Sequence, residues 1–318
     1  MSIIEKALSK QSEQSQKQHS VKDEQHIAAA RSSIEVAAEQ QHLSVGMVDT
    51  PIIDSAVTES IDKVQQLPDD SVASASASIE LDLSLLEQKH FVSLSSERRL
   101  INEEYRVIKR KLINNAFGAL SSTLKHPNLI LVSSSRSGEG KTFSSINLAL
   151  SIALEQDKTV LLVDSDVLRP SVSKTLNLKH TVGLTDYLLS DDVKVSDIMF
   201  STNVERLKII TAGRPHHLST ELLASERMMQ LAHEFATRYH DRIVIFDAPP
   251  LLGVNETAVM ASMCGQALIV VEENKTKLAE IEQAVSLLPR DIAVGFLINK
   301  AHRNQGKGYG YGYYYGAS

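Results

Sequence analysis

Residues 131–154 read LVSSSRSGEGKTFSSINLALSIAL. An apolar run ends near Ser133, a turn spans Ser135 to Thr142, and an apolar-periodic stretch starts directly after it. Strand, glycine-bearing loop and helix in this order form the setting of a phosphate-binding P-loop. There, backbone N–H groups and a helix N-terminus surround phosphate oxygens. Gly138 and Gly140 permit the close approach, and Ser135 stands where the usual pattern has its first glycine. Lys141 is placed to reach β- and γ-phosphates, and the Thr142 hydroxyl to ligate Mg²⁺. The candidate nucleotide-binding residues are Ser137, Gly138, Glu139, Gly140, Lys141, Thr142 and Phe143, with ATP and Mg²⁺ as the expected cofactors.

Outward from this stretch, short Val/Ile/Leu runs alternate with helical patterns. They are NLILVSS (128–134), TVLLVDSD (159–166), LKIITAG (207–213), RIVIFDAPP (242–250), QALIVVEE (266–273) and IAVGFLIN (292–299). Continuous apolar runs separated by helices predict a mostly parallel sheet covered by helices on both faces, an α/β fold. Two of the runs end in acids: Asp164 and Asp166 on one, Asp247 on the other. In an open α/β sheet, ligands sit at the carboxyl ends of strands, so all three acids are expected beside the P-loop. Mg²⁺ takes one or two carboxylates together with water and phosphate oxygens, which leaves an acid free to act as a base. The candidate metal set is Thr142, Asp164 and Asp247. The candidate catalytic set is Lys141, Asp164, Asp166 and Asp247, with the base open between Asp164 and Asp166.

Residues 1–90 hold no aromatic residue and are rich in Ser, Gln, Ala, Glu and Asp, so this segment is expected to be mostly disordered. Residues 96–117 have helical periodicity, with Ile101, Tyr105, Ile108 and Leu112 on one stripe and Gly118 as a stop. Four parts are expected: 1–90 low-complexity, 91–126 helical, 127–300 the P-loop domain and 301–318 a tail. The tail is unusual. Aromatic residues make up 5% of the chain, yet five of its eight tyrosines, Tyr309, Tyr311, Tyr313, Tyr314 and Tyr315, fall among glycines near the end. Glycines alternating with rings suit neither helix nor strand, so the hydroxyls are expected to be presented to another site.

The net charge of −6 and a pI near 6 argue against a nucleic-acid partner. Cys264 is the single cysteine, which excludes a disulfide framework or a cysteine-built metal centre, and a buried free thiol is expected. His216 and His217, being adjacent, are expected to point in different directions as loop residues. No signal-peptide pattern and no membrane-spanning run are evident, so a cytoplasmic protein is expected.

The P-loop, then LLVDSD, then VIFDAPP resembles the Walker A, Walker A′ and Walker B set of the bacterial tyrosine autokinases, within the deviant-Walker ATPases. The resemblance covers roughly residues 97–318, and EEYRVIKR is similar to the type encoded beside exosortase and exopolysaccharide genes. It implies an ATP-dependent tyrosine kinase acting on its own tail, with the five clustered tyrosines as phosphoacceptors. It implies self-association through Glu103 and Arg106, with Lys109 at the last motif position and Arg110 beside it. It also implies a separate membrane polysaccharide co-polymerase as partner, a counteracting tyrosine phosphatase, and membrane association only through that partner. The alternative is a partition- or positioning-type ATPase of the same superfamily without kinase activity. Those relatives carry a signature lysine where this chain has Arg136, expected here as an exposed loop residue.

Overall fold

The computed structural model describes residues 78–95, 99–179 and 182–302, with side chains undescribed at Ser219 and Thr220. The expectations for residues 1–77 and for the tyrosine cluster lie outside the described residues. In chain order the elements are β1 (Ser78–Ile79), α1 (Leu83–Gln88), α2 (Leu100–Phe117), β2 (Leu129–Ser134), α3 (Lys141–Ala153) and β3 (Thr159–Asp164). Next come α4 (Val172–Thr175), α5 (Leu184–Leu189), α6 (Val195–Ile198), β4 (Met199–Thr202), β5 (Leu207–Ile210), α7 (Ser219–Leu223) and α8 (Glu226–Thr237). The rest are β6 (Arg242–Asp247), α9 (Asn255–Ala261), β7 (Gln266–Glu272), α10 (Leu278–Ser286) and β8 (Ala293–Asn299).

The strands form one eight-stranded sheet in the order β1-β4-β5-β3-β6-β2-β7-β8. Every neighbouring pair is parallel except β4 with β5. All six apolar runs form strands, and β2 and β6 are buried along their whole length. Alternate residues feed two cores, as the pleat requires. Leu129 and Leu131 join Met228, Leu231 and Phe235 of α8 on one face. Ile130 and Val132 join Tyr105 and Leu112 of α2 and Ile146 and Leu150 of α3 on the other. Both faces are thus covered by helices, the expected α/β architecture.

Three features depart from the sequence expectation. Strand β4 is too short to stand out as an apolar run, and it is antiparallel to β5. Helix α2 starts at Leu100. The described residues begin at Ser78 and include 78–90, the end of the segment expected to be low-complexity. Leu81, Leu86, Phe91 and Val92 are buried in the core that α2 and α3 share. Asp82 caps α1 by accepting from Leu85 N at 2.9 Å. Asn203 holds the backbone of Leu81 through both its N–H and its carbonyl. The missed signal was a few apolar residues spaced through a polar stretch, each ordered by contacts distant in sequence.

Candidate active site

The P-loop connects β2 to α3 and closes at Gly140, which caps α3 in the left-handed region at φ 102°. At this φ a residue with a side chain would be strained, and its Cβ would lie 1.9 Å from the side-chain Nδ2 of Asn299 and displace it, so the position suits glycine. Glu139 turns inward. Its carboxylate accepts from Arg136 N at 2.8 Å and from the Thr276 hydroxyl. Arg136 is exposed, as expected, and pairs with Glu280 at 2.9 Å. Phe143 packs its ring against Phe91, with centroids 4.8 Å apart, so its share in a phosphate cradle is its backbone N–H.

Lys141, Thr142, Asp164, Asp166 and Asp247 come together at the carboxyl edge of β2, β3 and β6. Asp164 and Asp247 are register partners on adjacent parallel strands, and both are 0% exposed. Asp247 accepts from Thr142 Oγ1 at 2.7 Å and Ser145 Oγ at 3.0 Å. Asp164 Oδ2 accepts from Val172 N at 3.0 Å, while its Oδ1 is buried without a partner. Asp166, two residues further on, pairs with Lys141 Nζ at 3.5 Å and accepts from Arg169 N.

Asp166 and Asp247 thus share the Lys141 ammonium, while Asp164 lies beside Asp247. Burial first and Asp247 second push Asp164 well above the usual carboxylate range. Burial raises Asp247 to about 6, against the opposing hydrogen bond from Thr142 and the charge of Lys141. An excess of buried acid with one orphaned oxygen fits a hard divalent cation, whose preferred ligands are oxygens. Among the described residues, no three His, Cys, Asp or Glu side chains could hold a metal by themselves. Thr142 and the oxygens of a bound phosphate would complete such a site.

Sequence reasoning missed Asn299, Lys300 and Thr276, which touch the P-loop from the ends of β7 and β8. Their only signal was position at the carboxyl ends of strands. The expected self-association residues divide. Glu103 and Arg106 pair with each other at 2.9 Å on the surface, and Arg110 is exposed. Lys109 is a correction: it is 5% exposed, and its ammonium meets Ser151 O at 2.7 Å and Glu155 at 2.6 Å. It ties α2 to α3 and is not free for a neighbour. Cys264 is buried and free, and burial pushes its thiol up. The rings of His216 and His217 lie 4.2 Å apart and do not diverge, because alternation of side chains is a strand property that an irregular loop lacks.

Residues 127–290 match the model of the AAA domain family. The chain is 30% identical over 201 residues to the tyrosine-protein kinase YwqD of Bacillus subtilis, covering 63% of this chain and 81% of that protein. It is 34% identical over 161 residues to the putative tyrosine-protein kinase EpsB of Ralstonia nicotianae, covering 51% of this chain and 21% of that much longer protein. The kinase domain of Escherichia coli tyrosine kinase ETK has the same fold, with a TM-score of 0.57 at 23% identity, covering 76% of this chain and 94% of that one. A family model spanning more than half of the chain and a kinase aligned over most of its own length agree on one assignment: this chain belongs to the bacterial tyrosine-protein kinases of the AAA-domain P-loop ATPases.

Proposed function

We propose that this chain transfers the γ-phosphoryl group of ATP to its own C-terminal tyrosines, Tyr309, Tyr311, Tyr313, Tyr314 and Tyr315, and thereby regulates synthesis or export of an exopolysaccharide. The observation that carries this reading is where the last strand ends. β8 runs parallel to β7 into the P-loop edge, Asn299 and Lys300 touch the loop, and Tyr309 follows nine residues after Lys300. That span is at most roughly 30 Å when extended, enough to bring tyrosines to a nucleotide site at this edge.

In this reading, backbone N–H groups from Ser137 to Phe143 and the N-terminus of α3 hold the phosphates. Thr142 and Asp164 hold Mg²⁺, with Asp247 orienting the Thr142 hydroxyl; the ion supplies neutralisation of phosphate charge when bound. Lys141 moves its ammonium from Asp166 to the β- and γ-phosphates. Asp166, thus released, accepts the phenol proton. It is the acid of the three with any exposed surface, 5% against 0% for Asp164 and Asp247. The phenol oxygen bonds to the γ-phosphorus, the bond to the β–γ bridging oxygen breaks, and ADP leaves. Positioning and charge neutralisation carry the rate, as in phosphoryl transfer generally.

Self-association through Glu103, Arg106 and Arg110 belongs to the same proposal. So do a cytoplasmic location, a separate membrane co-polymerase, an exosortase-linked polysaccharide system and an opposing phosphatase. No helix among the described residues is long and apolar enough to cross a membrane. Incubation of the purified full-length chain with Mg-ATP, followed by phosphosite mapping, is the test. Phosphate on the clustered tyrosines is expected; ATP turnover with no labelled tyrosine overturns the reading.

A further inference from the structure

The P-loop is held by residues that belong to neither its own strand nor its own helix. Asn299 Nδ2 donates to Glu139 O at 2.9 Å, and Lys300 Nζ donates to Gly138 O at 2.8 Å. Two consecutive loop carbonyls are thus bound by two consecutive side chains at the end of β8. Lys300 has its backbone in the left-handed region, φ 55°, uncommon for a residue with a Cβ, and this marks the turn that ends the strand beside the loop. Its ammonium also meets Glu272 Oε2 at 3.0 Å, with side-chain exposures of 47% for Lys300 and 15% for Glu272. Lys275 approaches the same carboxylate at 3.3 Å and is 74% exposed. One residue beyond Ala301, His302 N donates to Glu273 at 2.5 Å, and the tyrosine tail follows.

We propose that Lys300 is a positioning residue that makes nucleotide affinity at the P-loop depend on the phosphorylation of the tail behind it. The proposal rests on the tail-phosphorylation reading above. The hold of Lys300 on the loop is a half-exposed ammonium shared between one carbonyl and one carboxylate, a contact of modest strength. A phosphotyrosine carries about −1.5 to −2 charges and several strong acceptors at neutral pH, and is the better partner for that ammonium. Tyr309 follows nine residues after Lys300, so the tail's tyrosines are tethered close to this ammonium. A phosphorylated tail therefore draws Lys300 off Gly138 O, the loop loses one of its external restraints, and nucleotide binds less tightly. The tail's own product state then limits further turnover.

The test measures affinity for a fluorescent ADP analogue with Mg²⁺, using the full chain after ATP treatment and again after phosphatase treatment. The parent is expected to bind about 5- to 10-fold more tightly when dephosphorylated, within the usual range of coupling between sites. Lys300→Ala is expected to bind alike in both states, at the weaker affinity. Lys300→Arg, which keeps the cation, should retain the difference, a rescue that a merely structural role does not give. Lys275→Ala removes a charge from the same carboxylate without touching the loop and should behave as the parent. A Lys300→Ala chain that keeps the two-state difference overturns the proposal, as does a parent that shows none while bearing phosphate. If no tail phosphate ever forms, the kinase reading fails separately. Unphosphorylated Lys300→Ala then decides the loop contact alone: affinity equal to that of Lys275→Ala overturns it, and weaker affinity supports it.

Discussion

Asp164 and Asp247 lie side by side in register across β3 and β6, fully buried, with one oxygen of Asp164 lacking any partner. Two carboxylates that close cannot both ionise without cost, and both are held above the usual range.

This pairing gives the nucleotide-free protein a pH dependence of definite sign. A carboxyl with a raised folded-state pKa contributes stability below its unfolded value, and that stability is lost as pH rises through the folded value. For Asp247 the window runs from 3.8 to about 6. Asp247→Asn is expected to lose this part of the slope, and to gain relative stability of about 3 kcal/mol or less by pH 8, at 1.36 kcal/mol per unit. Thermal melts from pH 4 to 8, without nucleotide or divalent cation, check it. Parallel curves for parent and variant would refute the assignment.

Lys141→Met should abolish phosphoryl transfer and leave the fold intact. Lys141 is 7% exposed, but its described partner is Asp166 in the site and not the apolar core. A loss of at least about 100-fold in tyrosine phosphorylation is expected, the scale for removing one group that stabilises developing charge. Circular dichroism should match the parent. Normal phosphotyrosine formation in this variant would defeat the kinase mechanism.

Removal of residues 1–77 should change the melting temperature little, whereas Phe91→Ala should destabilise by about 3–5 kcal/mol. Phe91 is 3% exposed and packs against Phe143 at the start of α3. Denaturant titration separates the two cases. Near-parent stability of Phe91→Ala would show that the segment ahead of α2 adds nothing to the core.

Charge reversal at both Glu103 and Arg106 should shift sedimentation toward smaller species, because their pair lies on the surface of α2. Lys109→Met should lower stability by about 1–3 kcal/mol, by stranding its buried partners, and leave the mass distribution alone. The opposite pattern would return Lys109 to the assembly surface.

Tail phosphorylation should occur between chains. Lys141→Met with an intact tail, mixed with an active chain truncated after Gly308, should gain phosphate on its tyrosines. Absence of such transfer, together with self-labelling at a rate independent of concentration, would establish transfer within one chain.

The sequence by itself determined the elements that depend on local pattern. Continuous apolar runs read as strands, so β2, β3, β5, β6 and β7 were legible as interior strands and β8 as a strand, although it proved to be the edge of the sheet with Phe296 and Ile298 exposed. The P-loop was legible because phosphate binding needs glycines, a lysine and a helix start within a few consecutive residues. Asp164, Asp166 and Asp247 followed from standing at strand ends. Tertiary structure decided what depends on residues far apart in the chain. Lys109 stands four residues after Tyr105 and three before Leu112, so helical spacing already put it on the buried stripe of α2, but only the packing of α2 along α3 gave its ammonium Ser151 O and Glu155 as partners. Leu81 and Leu86 became core residues only because the sheet supplied a face for them. Asn299 and Lys300 reach the P-loop across some 160 residues of sequence, because parallel strands deliver their carboxyl ends to one edge of the sheet, where their side chains can donate to the loop carbonyls.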